Sequence, residues 1–303
     1  MKIVFLGTSG STPTKQRNLP SVALEYNGEI LLFDCGEGTQ RQVMQNSLNI
    51  SKINKIFISH MHGDHVIGVA GLIRTFALNN REKPLYIFVP EGEEKKINAL
   101  LTFDKIKFDY PIIVKEAKTG VIDKNKDYII KAFRLKHSVP TCGFIFKELN
   151  RLRFYKNKCM SYGIKGTMFA ELKEKGFINI NKNIKNKNKG KRINLKDVTY
   201  EVKGKMIVYA TDTRPFINTV TAAKNADLLI HESTYANDNE NLAKERMHST
   251  ALEAALIAKK ANCKKLALLH ISSRYHSIDT MKKEAKKIFK NTIIPNDGDI
   301  LEI

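Results

Sequence analysis

The stretch KIFISHMHGDHVIG, residues 55–68, runs from an apolar, β-branched segment into a turn that carries His60, His62, Asp64 and His65 within six positions. KIFIS has the composition of a buried strand, and the chain leaves it at His60, so these side chains sit on a loop at a strand's C-terminal end. Gly63 lets that loop fold tightly, and a helix is expected from Val66 onward. His60 and His62, two residues apart, can point to one metal ion, while Asp64 and His65 can face a second. A lone histidine would mean nothing, but four donors in the pattern HxHxDH are poorly explained by core packing.

Sites built from imidazole and carboxylate need more ligands than one loop supplies. Single candidates follow later, each after an apolar strand-like run: His137 closes YIIKAFRLKH, Asp212 follows MIVYAT, and His270 closes KLALLH. Taken alone, His137 and His270 read equally as core histidines and Asp212 as a helix N-cap. Their shared strand-end position is what groups them. Cys35, Cys142, Cys159 and Cys263 form no CxxC pair, which argues against a thiolate site and a disulfide framework and fits a reducing compartment.

Across the 303 residues, runs such as KIVFLG, VALEY, EILLFDCG, LYIFV, GFIFK, DLLIHEST and ILEI read as strands. Helical spacing of apolar residues appears in HVIGVAGLIRTFALNN, EEKKINALLTF, HSTALEAALIAKKAN and DTMKKEAKKIFKN. The mixed order predicts an α/β fold of sheets covered by helices. At the N-terminus, MKIVFLGTSGS holds only a short apolar run, and no segment approaches the ~18 apolar residues of a membrane span. A soluble cytoplasmic protein with no membrane partner is expected.

The net charge of +20 favours a polyanionic partner. It is unevenly spread: Lys147 to Lys205 holds 17 Lys or Arg against 5 Asp or Glu, so 12 of the surplus charges lie in that stretch. NINKNIKNKNKGKR, residues 179–192, is nearly low-complexity and cannot build a core. It reads either as a solvated insertion or as an arm that grips a phosphate backbone. RLRFYKNKCMSYGIKGTMFAELKEKGF keeps apolar residues at intervals, so a small folded element is expected beside it.

These motifs together resemble the metallo-β-lactamase superfamily and, within it, the ribonuclease Z family. The resemblance runs through LGTSGSTPTKQRNLPS, LLFDCGEGTQRQ, SHMHGDHVIG, HSVPTCGF, ATDTRP, LLIHESTY, HSTALEAA and LLHISSRY, in that order. It implies an αβ/βα sandwich of two mixed β-sheets flanked by helices. Residues 1–150 and 204–303 would form the catalytic domain, and 151–203 an inserted basic exosite arm. The implied activity is a zinc-dependent endoribonuclease that removes the 3′ trailer from precursor tRNA, leaving a 3′-hydroxyl on the tRNA and a 5′-phosphate on the trailer. A homodimer with the arm acting in trans is implied as well, and no other protein partner.

Carried over residue by residue, His60, His62 and His137 would hold one Zn2+, Asp64, His65 and His270 the other, with Asp212 bridging. The same donor types accept Mn2+. Asp64 matches the family's proton acceptor, and His248, from HSTALEAA, its candidate proton donor; on its own, His248 reads as a helix-start histidine before a Ser249 or Thr250 cap. Asp34 would orient a ligand imidazole, or else hold the glycine turn Gly36 to Gly38. Lys15, Arg17 and Asn18 match the PxKxRN loop and would bind substrate. Arg214 and Arg274 would clamp the scissile phosphate, or pair with Glu232 or another acid. The motif HESTY, residues 231–235, matches the family without a derivable role. The chain departs from the family at the arm's tip, where no proline lies between Pro140 and Pro215, and at Thr211, where glycine is common. Two other functions stay open on the residues alone: another hydrolase of the same fold, such as a phosphodiesterase or lactonase, and a non-catalytic RNA-binding protein.

Overall fold

Strand Lys2–Gly7 sends Ile3 and Phe5 into one apolar cluster and Val4 and Leu6 into another, and strand Glu29–Phe33 divides Leu31 and Phe33 from Ile30 and Leu32 in the same way. Strands buried on both faces need a cover on each side. The computed structural model describes residues 1–104, 107–180 and 191–303, and divides the chain into two compact units, Met1–Lys147 with Lys205–Ile303, and Glu148–Gly204.

In the first unit, one seven-stranded sheet runs Ile300–Glu302, Lys2–Gly7, Ser21–Tyr26, Glu29–Phe33, Ile53–Phe57, Leu85–Pro90, Ile112–Ala117. The other runs Thr292–Ile293, Leu266–Leu269, Leu228–Glu232, Met206–Ala210, Cys142–Glu148, Tyr128–Arg134, Gly120–Lys124. Both sheets are mixed, with parallel pairs between Glu29–Phe33 and Ile112–Ala117 and between Met206–Ala210 and Thr292–Ile293. The inner faces meet in an aromatic core: Phe33 lies 6.0 Å from Phe144 and 5.6 Å from Tyr209, and Phe57 stacks on Phe88 at 4.8 Å. Helices Gly68–Leu78 and Glu94–Thr102 cover the outer face of the first sheet; Ala251–Lys260 and Asp279–Ile288 cover that of the second. This is the two-sheet, helix-flanked α/β sandwich that the family resemblance implied.

Local differences from the sequence reading have local causes. Helix begins at Gly63, not Val66, because His62 already has extended backbone and serves as the N-cap. The helix Thr39–Gln45 buries only Thr39 and Val43, and the edge strand Gly120–Lys124 has no fully buried residue, so neither carried an apolar pattern strong enough to read. Among the described residues, no helix is long and apolar enough to cross a membrane.

The second unit, Glu148–Gly204, has two antiparallel strand pairs, Arg151–Phe154 with Thr199–Val202 and Phe177–Ile180 with Lys191–Asn194. Cys159, Ile164, Leu172, Ile178, Ile193 and Val198 form its own small core. Of the Lys/Asn-rich run 179–192, residues 181–190 lie outside the described residues.

Parallel strands that end together bring chain turns to one rim. In the first sheet, the ends of Glu29–Phe33 and Ile53–Phe57 release Asp34 and the HxHxDH loop. In the second, three parallel strands release Asp212, Ser233 and His270. The HxHxDH turn is pinned from behind: the Cys35 amide donates to the His65 carbonyl at 2.8 Å, and a Cβ on Gly68 would stand 2.0 Å from the Gly36 carbonyl oxygen. Helix propensity alone would favour alanine at Gly68 by about 1 kcal/mol, but the backbone contact dominates. Gly68→Ala is therefore expected to destabilise the protein by about 1–3 kcal/mol, the range for overpacking, in urea unfolding; a stabilised variant would contradict this packing.

Candidate metal centre

Three of the side chains at this rim sit on residues with left-handed backbone: Asp34 at φ 56°, Asp212 at φ 51° and His270 at φ 59°. Residues with a Cβ seldom adopt that conformation, and it persists only where surrounding contacts impose it. Here it turns each strand end sharply, so that the side chain projects over the rim instead of continuing the strand. Gly10 makes room for one of them, since a Cβ there would lie 2.5 Å from His270 Nδ1.

The structure brings together all seven of the side chains singled out as ligands, in two groups. In one, His60 Nε2 lies 2.9 Å from His62 Nδ1, and His137 Nε2 lies 3.4 Å from the same atom. In the other, His65 Nε2 lies 3.3 Å from His270 Nε2, and Asp64 Oδ2 is 3.4 Å from the first and 3.5 Å from the second. Asp212 divides its carboxylate between them. Its Oδ2 is 3.6 Å from His60 Nε2 and 3.8 Å from His137 Nε2, while its Oδ1 is 3.4 Å from His65 Nε2 and 3.2 Å from His270 Nε2. The side chains of His60, His65, His137, Asp212 and His270 are buried; His62 and Asp64 are partly exposed and mark the open side.

In their neutral form, with Nδ1 as donor, His60, His65, His137 and His270 turn Nε2 lone pairs toward the centre, where a cation between them relieves their repulsion. A tetrahedral ion with nitrogens at ~2.0–2.1 Å separates its ligands by roughly 3.3–3.4 Å, close to the spacings seen in both groups. The donor set, nitrogen and oxygen only, fits a divalent metal ion.

Four of the five rings, those of His60, His65, His137 and His270, are fixed through their other nitrogen. Asp34, fully buried, accepts from His65 Nδ1 at 2.8 Å, from the Ser59 amide and hydroxyl, and from the Tyr209 hydroxyl. The Ser59 hydroxyl in turn meets His60 Nδ1 at 3.0 Å. His137 Nδ1 donates to the Met247 carbonyl at 3.0 Å.

The HESTY segment supplies the remaining support. Glu232, fully buried, accepts from the Thr213 and Thr234 amides, from the Thr234 hydroxyl at 2.6 Å and from His248 Nδ1 at 3.0 Å. Because the Thr234 hydroxyl gives its proton to Glu232, it accepts from His270 Nδ1 at 2.8 Å. One carboxylate thus orients two histidines. Sequence reasoning offered Glu232 only as an ion-pair partner for Arg214 or Arg274 and left Thr234 without a role, since no local pattern announces hydrogen bonds to His248 and His270.

Electrostatics follow the geometry. Burial pushes the Asp64 and Asp212 carboxyls up, but the surrounding histidines hold both well below the usual carboxylate range. Burial likewise raises Glu232, and His248 outweighs it, leaving the carboxyl at about 2. Burial lowers His248, and Glu232 with Asp212 outweighs that, bringing the imidazole to about 9.

The four arginine and asparagine side chains expected at substrate are engaged as follows. Arg214 forks onto both Glu253 oxygens, at 2.5 and 3.0 Å, and donates to the His248 carbonyl. Of the two roles considered for it, an ion pair is what the structure contains, with Glu253 as the acid. Glu253 also closes the capping box with Thr250 at the start of helix Ala251–Lys260. Arg17 turns inward to Thr8, to the Pro295 carbonyl and to Asn296; the Asn18 side-chain amide donates to the Glu37 carbonyl, and its backbone amide donates to Asp297. Arg274 is exposed and lies over the Tyr235 ring at 4.9 Å. Lys15 is exposed and lines a groove of about 710 Å³ with Tyr275 and His276.

Comparison with known proteins places this geometry among relatives. The family model described as "Anti-Pycsar protein Apyc1" matches residues 1–155. The ribonuclease Z of Thermococcus onnurineus is 41% identical over 304 residues, covering 99% of the chain and 94% of that relative. The ribonuclease Z of Methanosarcina mazei is 36% identical over 307 residues, covering 100% of the chain and 98% of that relative. Among solved structures, human tRNase Z, short form, is similar with a TM-score of 0.72 at 26% identity, covering 100% of the chain and 99% of the human one.

The Asp34 network sets an expectation for metal binding. Asp34→Ala should weaken Zn2+ affinity about 10- to 100-fold, as removal of such outer partners does, when measured by isothermal titration calorimetry. Unchanged affinity would mean that Asp34 serves only the turn.

Proposed function

Since the chain belongs to the ribonuclease Z family, and its residues 1–155 also match the Anti-Pycsar protein Apyc1 family, we propose that it is an endoribonuclease that removes the 3′ trailer from precursor tRNA. The observation that carries the reading is the convergence of seven donors, shared by one carboxylate, in a chain alike over its whole length to ribonuclease Z. The products would be a tRNA with a 3′-hydroxyl and a trailer with a 5′-phosphate. His60, His62 and His137 would hold one Zn2+, Asp64, His65 and His270 a second, and Asp212 both; Mn2+ suits the same donors. When bound, such ions supply stabilisation of charge on the attacking and leaving oxygens.

The chain's own groups have separate tasks. Asp64, held by the Ser11 amide at 2.8 Å, accepts the proton of the attacking water. His248, fixed through Nδ1 by Glu232, presents Nε2 to the departing 3′ oxygen as proton donor. Arg214 holds the His248 backbone and the start of the next helix through Glu253, so we assign it to positioning. Arg17 and Asn18 hold the early loop in shape, which gives the phosphate contact to the exposed Lys15, with Arg274 beside the site. The second unit, basic in sequence, is the arm that grips tRNA. We extend the reading to a cytoplasmic homodimer in which the arm of one chain holds the tRNA cut by its partner.

Incubation with precursor tRNA and with a dinucleoside monophosphate tests the reading. Trailer release should stop with chelator and fall at least ~10²-fold in Asp64→Ala, the lower range for loss of general base catalysis. Cleavage of the dinucleotide alone would favour a hydrolase of small phosphodiesters, and tRNA binding without cleavage a non-catalytic binder.

Arg214 separates two roles. If it positions His248, Arg214→Ala and Glu253→Ala should lower kcat on the dinucleotide and on tRNA alike, with KM little changed. A loss confined to KM for tRNA would return Arg214 to the phosphate backbone.

A further inference from the structure

In the second unit, the antiparallel strands Arg151–Phe154 and Thr199–Val202 pair Arg151 with Val202, Arg153 with Tyr200 and Phe154 with Thr199. Opposed residues share a face, and faces alternate along each strand. Phe154 packs into the unit's small core, its ring 4.8 Å from Phe169. Arg151, Arg153, Tyr200 and Val202 therefore lie on the face turned away from that core. Tyr155, just past the strand, joins them, with its ring 4.8 Å from that of Tyr200.

This face is uncovered. Tyr155 and Tyr200 are 41% and 39% exposed, and Arg151 and Arg153 are exposed as well. Lys158 Nζ stands 4.6 Å over the Tyr155 ring. Arg151 pairs with Glu148 at 2.9 Å, whereas Arg153 has no ion-pair partner among the described residues. Two adjoining aromatic rings with cations around them suit a partner that is flat, π-bearing and anionic, a description that an unstacked nucleotide meets. A phosphate grip alone would need only the cations. Protein partners also bury tyrosine and arginine; the surplus of positive charge in this part of the sequence favours the polyanion.

We propose that this face is a stacking platform for an unpaired nucleobase of the RNA substrate, with Arg153 and Lys158 holding the flanking phosphates. The proposal rests on the reading of the chain as a tRNA-processing enzyme and adds where, and by which contact, the second unit takes hold of the RNA.

The test compares full-length wild type, Tyr155→Ala/Tyr200→Ala and Tyr155→Phe/Tyr200→Phe for precursor tRNA binding by fluorescence anisotropy, with dinucleotide cleavage as a check on the catalytic unit. The alanine pair should bind roughly 5- to 100-fold more weakly, the range for losing one stacked base. Its salt dependence should keep the wild-type slope, because no cation is removed. The phenylalanine pair should bind within about twofold of wild type, and dinucleotide cleavage should be unchanged throughout. Wild-type affinity in the alanine pair overturns the proposal, as does an equal loss in the phenylalanine pair, which would assign the contact to the hydroxyls. A change in oligomeric state with RNA affinity intact also overturns it and makes the face a contact between chains. A wild-type protein that cleaves the dinucleotide yet neither binds nor cuts precursor tRNA overturns the underlying reading instead, and is recognised before any variant is made.

Discussion

The carboxylate of Asp212 faces two groups of histidines at once, one oxygen to each, and the rest of the catalytic unit is arranged to make that tolerable. A buried carboxylate among buried imidazoles is costly unless each charge and lone pair finds a partner. Sheet register meets the first demand, since parallel strands ending side by side deliver the donors to one rim. Left-handed residues at Asp34, Asp212 and His270 meet the second by turning side chains over the rim. The backbone strain is held in place by the aromatic core between the sheets and by close contacts at Gly10 and Gly68.

Each sheet also contributes one fully buried carboxylate that sets the rings. Asp34, at the end of a strand in the first sheet, locks His65 and, through Ser59, His60. Glu232, at the end of a strand in the second, locks His248 and, through Thr234, His270. With Nδ1 occupied in this way, His65, His248 and His270 have Nε2 free to face the pocket, and so does His137 through the Met247 carbonyl. Orientation is thus set by the protein's own hydrogen bonds, which lowers the reorganisation that binding and reaction require.

The seven donors were legible in the sequence because each follows an apolar run, and a strand's end is a place that sequence can mark. The α/β class was legible for a related reason, since strands buried on both faces leave continuous apolar runs; the two-sheet sandwich came from the family resemblance. What supports the donors was not. Glu232 reaches His248 and Thr234 reaches His270 across 16 and 36 residues, and Arg214 reaches Glu253 across 39; no local pattern encodes such pairs. Arg17 shows the same limit, since a motif that reads as substrate contact folds its guanidinium onto Pro295 and Asn296. In the second unit the charge surplus was visible, whereas the Tyr155 and Tyr200 rings came together only once Arg153 and Tyr200 were paired across the antiparallel strands.

The central claim is that Asp212 joins two ion sites into one centre, and metal stoichiometry tests it directly. Inductively coupled plasma mass spectrometry on wild type reconstituted with Zn2+ should give two ions per chain. Asp212→Ala, with its fold verified by circular dichroism, should hold one or none. A single ion in the wild type, or two retained without Asp212, would contradict the account.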